Sequence, residues 1–336
     1  MTQHAEFRRY LESGLLPGLS IYALREERVT VDYLEGSSGP GLDAPRLTTD
    51  TRFNIGSVTK PITASLIVKL VERGEISLED AVVRYIPEYP FAHVTLLHLM
   101  THTTGYWGTP SIPWPTDKSD LTRYFAQIYG ISELVHETGS NGTYFSQGFS
   151  ILMDLLQRIT GATIEEFARE VLFDPLGMRH TTYDVTALAP HEFVLPFSAD
   201  TGNSHEELRT APATGDSGLF STAADLVKFG KLILDKGATP ERTIFSRASI
   251  ALMLREVTDG RFQRTPVFWK KGPSNWHGCF VDLCSEAAVG HPGFSGCMLM
   301  IDPVFKTTVA IVSNATALHA NWGNYRRILN SVLSAQ

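Results

Sequence analysis

Apolar residues recur along this chain with two periods, and the change from one to the other marks its organisation. Phe7, Tyr10, Leu11 and Leu15 fall at helical spacing, which predicts an amphipathic first helix within residues 1–16. Residues 19–33 are rich in Ile, Val, Leu and Tyr and are broken by Arg25-Glu26-Glu27-Arg28, the pattern of a β-hairpin with charges at its turn. A Gly/Ser/Pro-rich loop over 36–45 follows. Phe53-Asn54-Ile55-Gly56-Ser57 then leads into a periodic stretch reaching Val71, in which Ile62, Leu66, Ile67 and Leu70 share one helical face. Pro61 lies about one turn in, where a missing N–H costs little, so the helix begins close to Ser57 and stops at Gly74.

From about residue 75 to 205 the pattern is helical, with candidates over 95–101, 121–129, 149–160 and 164–172 joined by loops rich in Pro, Gly and Trp. Further helices are predicted over 222–236, with Thr222 and Asp225 spaced like a capping box, over 246–255 and over 325–333. Strands are predicted over 278–283, 297–301 and 307–312. Strands at both ends with a helical middle suggest an α/β domain built from 1–74 and 215–336, into which a mostly helical domain of 75–214 is inserted.

Composition narrows the function classes. At 336 residues with 43% apolar and 19% charged residues the chain is an ordinary globular protein. A net charge of −7 leaves no footprint for nucleic acid, and no apolar run is long enough to predict a membrane span. The first 16 residues carry Glu6, Arg8, Arg9 and Glu12, which is no signal-peptide core, so a cytoplasmic location is expected. Three cysteines, an odd number, fit a reducing compartment better than a disulfide framework. Cys279, Cys284 and Cys297 cluster with His277 and His291, but without the tight pairs of a zinc site, and they read as free thiols.

Ser57 and Lys60 carry the candidate chemistry. A serine hydroxyl needs a base within hydrogen-bond reach, and residues i and i+3 share a helical face, so Lys60 can present its amine to Ser57. The start of a helix also offers N–H groups and a positive dipole end to an oxyanion. Ser57-Val58-Thr59-Lys60 is the chain's one Ser-x-x-Lys, and neither a G-x-S-x-G elbow nor an H-E-x-x-H motif competes with it.

At these residues the chain resembles the serine β-lactamase and penicillin-binding-protein superfamily. It is closest to the branch of class C β-lactamases, D-aminopeptidases and related carboxylesterases. Besides the Ser57 to Lys60 motif, Leu96-Leu97-His98-Leu99-Met100-Thr101-His102-Thr103-Thr104-Gly105, Pro175-Leu176-Gly177-Met178 and Gly218-Leu219-Phe220-Ser221-Thr222 look like family blocks in family order. The resemblance implies an antiparallel sheet flanked by helices, of the β-lactamase/transpeptidase type. It implies Tyr144, in Tyr144-Phe145-Ser146, as the partner that shares the base role or protonates the leaving group. Ser146 stands where the family has an asparagine that binds a substrate amide. Gly290-His291-Pro292-Gly293-Phe294 replaces Lys-Thr-Gly and is similar to the His-x-Gly variant of esterases and aminopeptidases. His291 is then a weaker anchor for a carboxylate than lysine, and Gly293 lets the strand approach substrate closely. The N–H groups of Phe294 and Ser57 are the implied oxyanion hole.

The resulting expectation is an acyl-enzyme serine hydrolase that needs no metal or organic cofactor and cleaves a small-molecule ester. Alternatives are acyl transfer to an alcohol or amine, as in natural-product acyltransferases on this fold, and amidase or D-aminopeptidase action. A non-catalytic binding protein is disfavoured by the intact Ser57, Lys60 and Tyr144. Tyr106, Trp107, Trp114, Trp269 and Trp276 are candidates to line the pocket without catalytic roles, and His98 and His102 read as buried, hydrogen-bonded histidines.

Overall fold

The computed structural model describes residues 3–109, 112–272 and 280–335. Its centre is a six-stranded antiparallel sheet in the order β2 (Arg28–Gly36), β1 (Gly18–Arg25), β9 (Thr307–Ser313), β8 (Cys297–Asp302), β7 (Val289–Gly293) and β6 (Trp269–Lys270). The hairpin β1–β2 turns at Glu26 and Glu27, both at positive φ, and β9, the last strand among the described residues, pairs with β1 from Leu19 to Arg25. The two ends of the sequence therefore share one sheet. A second, three-stranded sheet is ordered β4 (Phe193–Val194), β3 (Arg52–Asn54) and β5 (Phe220–Ser221).

Alternation of side chains assigns each face of the large sheet to its own core. Leu19, Ile21, Met298, Met300, Val309 and Ile311 point to one side and pack with α1 (Gln3–Glu12) and α11 (Trp322–Ser334). Leu299, Ile301, Ala310 and Val312 point to the other, toward α2 (Thr59–Glu72), α5 (Gln147–Thr160) and α8 (Ala223–Leu234). With both faces covered, every residue of β8 and β9 is buried, which is why these strands read as continuous apolar runs. The α2 helix is buried nearly all round, from Thr59 to Leu70 apart from Lys69, so it is a central helix whose burial extends beyond the one face of Ile62, Leu66, Ile67 and Leu70.

The shorter helices are α3 (Leu96–Thr101), α4 (Leu121–Tyr129), α6 (Ile164–Ala168), α7 (Asp174–Leu176), α9 (Arg247–Leu254) and α10 (Ala317–Ala320). The helix expected over 164–172 is α6 continued by a wider π turn, Arg169–Phe173, into α7. Thr222 caps α8 by accepting from Asp225 N at 3.2 Å. Asp225 does not complete a capping box; its carboxylate accepts from His180 N (2.8 Å), Thr181 Oγ1 (3.0 Å) and Lys228 Nζ (2.7 Å). Leu15 lies outside the core and Leu16 is buried in its place.

The strand expected over 278–283 is not formed in its described part. Residues 280–283 form a bend and turn, with Val281 O accepting from Lys271 Nζ at 2.8 Å and from Cys284 Sγ at 3.2 Å. Residues 278 and 279 lie outside the described residues, as do Trp276 and His277. The strand next to β8 is instead β7, whose His-Pro-Gly composition reads as a turn. No helix among the described residues is long and apolar enough to cross a membrane.

What positions the candidate site is the approach of β7 to the segment between β3 and α2. A Cβ added to Gly293 would stand 2.2 Å from Ile55 O, a backbone atom with little freedom to move. Gly293→Ala is therefore expected to destabilise the protein by about 2 kcal/mol or more through overpacking. Gly41→Ala, where an added Cβ meets nothing within 4 Å, should stay within about 0.5 kcal/mol of wild type. Denaturant melts of the two variants check this, and equal midpoints would contradict it.

Candidate active site

Between β3 and α2 the chain makes one tight 3₁₀ turn, Gly56–Val58. Asn54 Oδ1 accepts from Gly56 N at 3.1 Å, and Thr59 Oγ1 donates to Gly56 O at 2.6 Å. Gly56 has φ +52°, a left-handed conformation that only glycine adopts cheaply. A Cβ there would lie 3.1 Å from Phe294 N, so the turn holding Ser57 is pressed against the backbone that follows β7.

Ser57 is half-buried and its Oγ has two partners, Lys60 Nζ at 3.2 Å and Tyr144 Oη at 3.0 Å. Lys60 follows one helical turn later and is fully buried. Besides Ser57, its Nζ meets Ser146 Oγ at 2.9 Å and the Asp216 carbonyl at 2.9 Å, with Asp216 Oδ2 at 3.6 Å as an ion-pair partner. The faces of the Tyr144 and Phe149 rings lie 5.1 and 5.7 Å from Nζ, within cation–π range.

Tyr144 enters from the loop before α5 and is clamped by rings. His102 lies 4.4 Å from it between centroids, and Trp269 meets it edge-on at 5.9 Å. His102 closes α3 at φ +59°, and its Nδ1 sits 3.2 Å from both N and O of Phe145. Burial pushes His102 well below the usual histidine range, and the charges of Arg264, Lys60 and His291 push the same way. His98 in the same block is half-buried and returns a capping bond to Thr95.

His291 lies on β7, buried, 4.8 Å from the Trp269 ring and 6.2 Å from that of Tyr144. Its Nδ1 is 2.7 Å from Pro292 O, and because a carbonyl only accepts, Nδ1 carries the hydrogen. Phe294 exposes 51% of its surface while its N–H side faces the Ser57 turn. Gly293 O accepts from Tyr325 Oη at 3.3 Å, which ties the end of β7 to α11. Ser146 lies behind Lys60, its hydroxyl held between Nζ and Asp216 Oδ2 (2.7 Å).

Of the aromatic candidates, Trp269 adjoins the site, Tyr106 is stacked on Phe145 at 4.1 Å, Trp114 leans on Tyr124, and Trp107 is exposed. Arg264, buried with its guanidinium 4.4 Å over the Trp269 ring, and Asp216 belong to the neighbourhood although the sequence did not single them out. Asp216 stands in Thr214-Gly215-Asp216-Ser217-Gly218, whose composition signals only a turn. Cys297 is pushed up to about 11 by burial and Cys284 is raised by the same cause, so both stay thiols. Among the described residues no group of three His, Cys, Asp or Glu could hold a metal ion; Cys279 and His277 lie outside them.

The sequence profile of the Beta-lactamase family matches residues 4–330. The chain belongs to the beta-lactamase family. As a member it is a hydrolase of the β-lactamase fold. Penicillin-binding protein 4 of Amycolatopsis lactamdurans is 27% identical over 285 residues, covering 80% of this chain and 73% of that protein. Among solved structures, EstCE1, described as a hydrolase with promiscuous acyltransferase activity, aligns with a TM-score of 0.80 at 16% identity, over 99% of this chain and 97% of its own. A class C beta lactamase from Rhodobacter sphaeroides aligns with a TM-score of 0.77 at 20% identity, over 99% and 98%. At these identities the two structures establish the shared fold.

The depressed His102 has a consequence for stability. Its folded form resists protonation while the unfolded chain binds a proton near pH 6.5, so stability present above that pH is lost as pH falls through and below it. His98 and His319 are lowered by burial and act in the same sense. Unfolding free energies should fall as pH drops below about 6.5, by up to about 1.4 kcal/mol per pH unit through His102 and by less through the partly exposed His98 and His319, and His102→Asn should flatten the slope. An unchanged slope in the variant would remove His102 as the cause.

Proposed function

We propose that this enzyme hydrolyses a carboxylic ester of a small molecule through an acyl-Ser57 intermediate. The observation that carries the reading is the position of Ser57 Oγ, 3.2 Å from Lys60 Nζ and 3.0 Å from Tyr144 Oη, on a turn packed against Phe294 N. Ser57 attacks the carbonyl while its proton passes to the Lys60–Tyr144 pair, and the N–H groups of Ser57 and Phe294 hold the developing oxyanion. Tyr144 returns the proton to the departing alcohol. Water then attacks the acyl group, and Ser57 recovers its proton as the acid leaves.

Two features favour an ester over a peptide or β-lactam. Ser146 commits its hydroxyl to Lys60 and Asp216, so no amide side chain stands there to pair with a substrate amide. His291 replaces a lysine and brings no permanent positive charge for a substrate carboxylate. Capture of the acyl group by an alcohol instead of water is a second reading. It is favoured by the run of rings from Trp269, which meets Tyr144 edge-on, to Trp322 (6.2 Å), His319 (6.0 Å) and Phe294 (5.9 Å), an apolar surface continuing from the site on which an alcohol could rest.

Intact-mass spectrometry with a panel of p-nitrophenyl esters tests both. An adduct on Ser57 that water clears supports hydrolysis; one that persists until an alcohol is added supports transfer. Ser57→Ala should form no adduct, and turnover at wild-type rate in that variant would refute the site. Tyr144→Phe should lower kcat by about 10²- to 10⁴-fold with KM little changed. Nitrocefin should turn over slowly, and rapid cleavage would count against the ester preference.

A further inference from the structure

Asp216 is buried with Lys60, and among the described residues it is the carboxylate that pairs with that lysine. Its side chain is also the focus of three hydroxyls: Ser146 Oγ donates to Oδ2 at 2.7 Å, while Ser150 Oγ and Ser217 Oγ approach Oδ1 at 3.3 and 3.5 Å. Hydrogen counting then fixes directions. The one hydroxyl hydrogen of Ser146 goes to Asp216, so Ser146 Oγ accepts from Lys60. The Asp216 carbonyl only accepts, so it takes a second hydrogen from Nζ. Two positions on Nζ are thereby turned away from Ser57, and the remaining one faces Ser57 Oγ at 3.2 Å.

We propose that Asp216 is a positioning residue of this site: its carboxylate is the counter-ion of Lys60 and, through Ser146, fixes the direction in which Lys60 meets Ser57, so that it sets the pH at which Ser57 becomes nucleophilic. The inference rests on the reading of Ser57 as the nucleophile. Asp216 itself bonds neither Ser57 nor Tyr144; it acts through Lys60 and Ser146.

Other titratable groups surround the pair. Tyr144 faces it from the loop before α5, His102 from the end of α3, and His291 from β7. Arg264 contributes its charge from the loop before β6, Tyr124 reaches Ser150 Oγ from α4 at 3.1 Å, and Tyr183 lies within electrostatic range of Asp216. Asp216 supplies the negative charge in direct contact with Lys60, which makes its removal the informative change.

The test is the rate at which a fluorophosphonate probe labels Ser57, measured from pH 5 to 10 in the wild type and in Asp216→Asn. Asparagine keeps an oxygen that accepts from Ser146 but removes the charge. A neighbouring negative charge favours the protonated form of the Ser57–Lys60–Tyr144 unit. Its loss should move the acid limb of the rate to lower pH by about one to three units. A limb that stays in place, with only the plateau lowered, would reduce Asp216 to a packing role and overturn the proposal.

Melting temperatures give a second readout that needs no activity. Lys60→Met leaves the carboxylate buried without its counter-ion and should melt well below wild type, while Lys60→Met with Asp216→Asn should melt above Lys60→Met alone. Losses that simply add in the double variant would overturn the pairing, even if Asp216→Asn by itself fails to fold. The labelling rate reads Ser57 whatever its acyl donor. A shifted limb without ester turnover therefore rejects the ester and keeps this inference. Absence of labelling rejects the nucleophile, and the melts then judge the ion pair alone.

Discussion

A lysine amine that no water can reach has to find every one of its partners inside the protein, and Lys60 is in that position. It projects from a helix that is itself buried on nearly all sides, so its partners must come from other segments. They come from the start of α5 as Ser146, from the turn at 214–218 as Asp216, and from its own helix start as Ser57. Ser146 and Asp216, 86 and 156 residues from Lys60 along the chain, are thus held with Ser57 to one nitrogen atom. Removing either member of such a buried pair leaves the other charge uncompensated, which costs more than the pair's own net contribution. The geometry that prepares Ser57 is in this sense also a condition for folding the middle of the molecule.

The opposite side of the site is built by backbone rather than by charge. At Gly290 an added Cβ would fall 2.2 Å from Leu299 O, and at Gly293 one would fall 2.2 Å from Ile55 O. These two glycines let β7 lie close to β8 on one side and close to the Ser57 turn on the other. Because β8 and β9 are covered on both faces, the strand that carries His291 and leads into Phe294 rests on a rigid support. In the proposed mechanism the Phe294 N–H has to be in place before the reaction, and the packing behind β7 holds that backbone.

The parts of this arrangement that were legible in the sequence are the local ones. Ser57 and Lys60 meet because residues three apart share a helical face, and their motif shows this directly. Strands β8 and β9 announced themselves as apolar runs because each of their faces has a core to enter. Strand β7 was implied only by the family resemblance, since His-Pro-Gly carries none of the usual strand signals and its burial depends on α11 and on the Ser57 turn. Residues 280–283 looked like a strand because Phe280 and Val281 are core residues, yet the Val281 carbonyl serves Lys271 Nζ and Cys284 Sγ rather than a neighbouring strand. Asp216 was invisible for a different reason. A counter-ion is chosen by where two distant segments meet, and nothing in a five-residue turn reports which cation will face it.

Charge balance links this hidden residue to the chemistry. Arg264 and Lys60 are both buried cations near the ring cluster, and a site containing them would ordinarily attract anionic substrates. Asp216 offsets one of these charges at 3.6 Å, and Arg264 stands with its guanidinium against the face of Trp269. His291 donates from Nδ1 to its own neighbour's carbonyl, and its ring packs on the same tryptophan. Lys60 Nζ, the Arg264 guanidinium face and His291 Nδ1 are therefore each engaged by protein, while Phe294, His319 and Trp322 form a run of rings beside Trp269. Under the proposed ester reading, a substrate that brings its own charge would lose hydration with little return, whereas a neutral ester loses little on entry. Discrimination of that kind follows from the desolvation cost the site imposes, and it requires no specific contact with the rejected molecule.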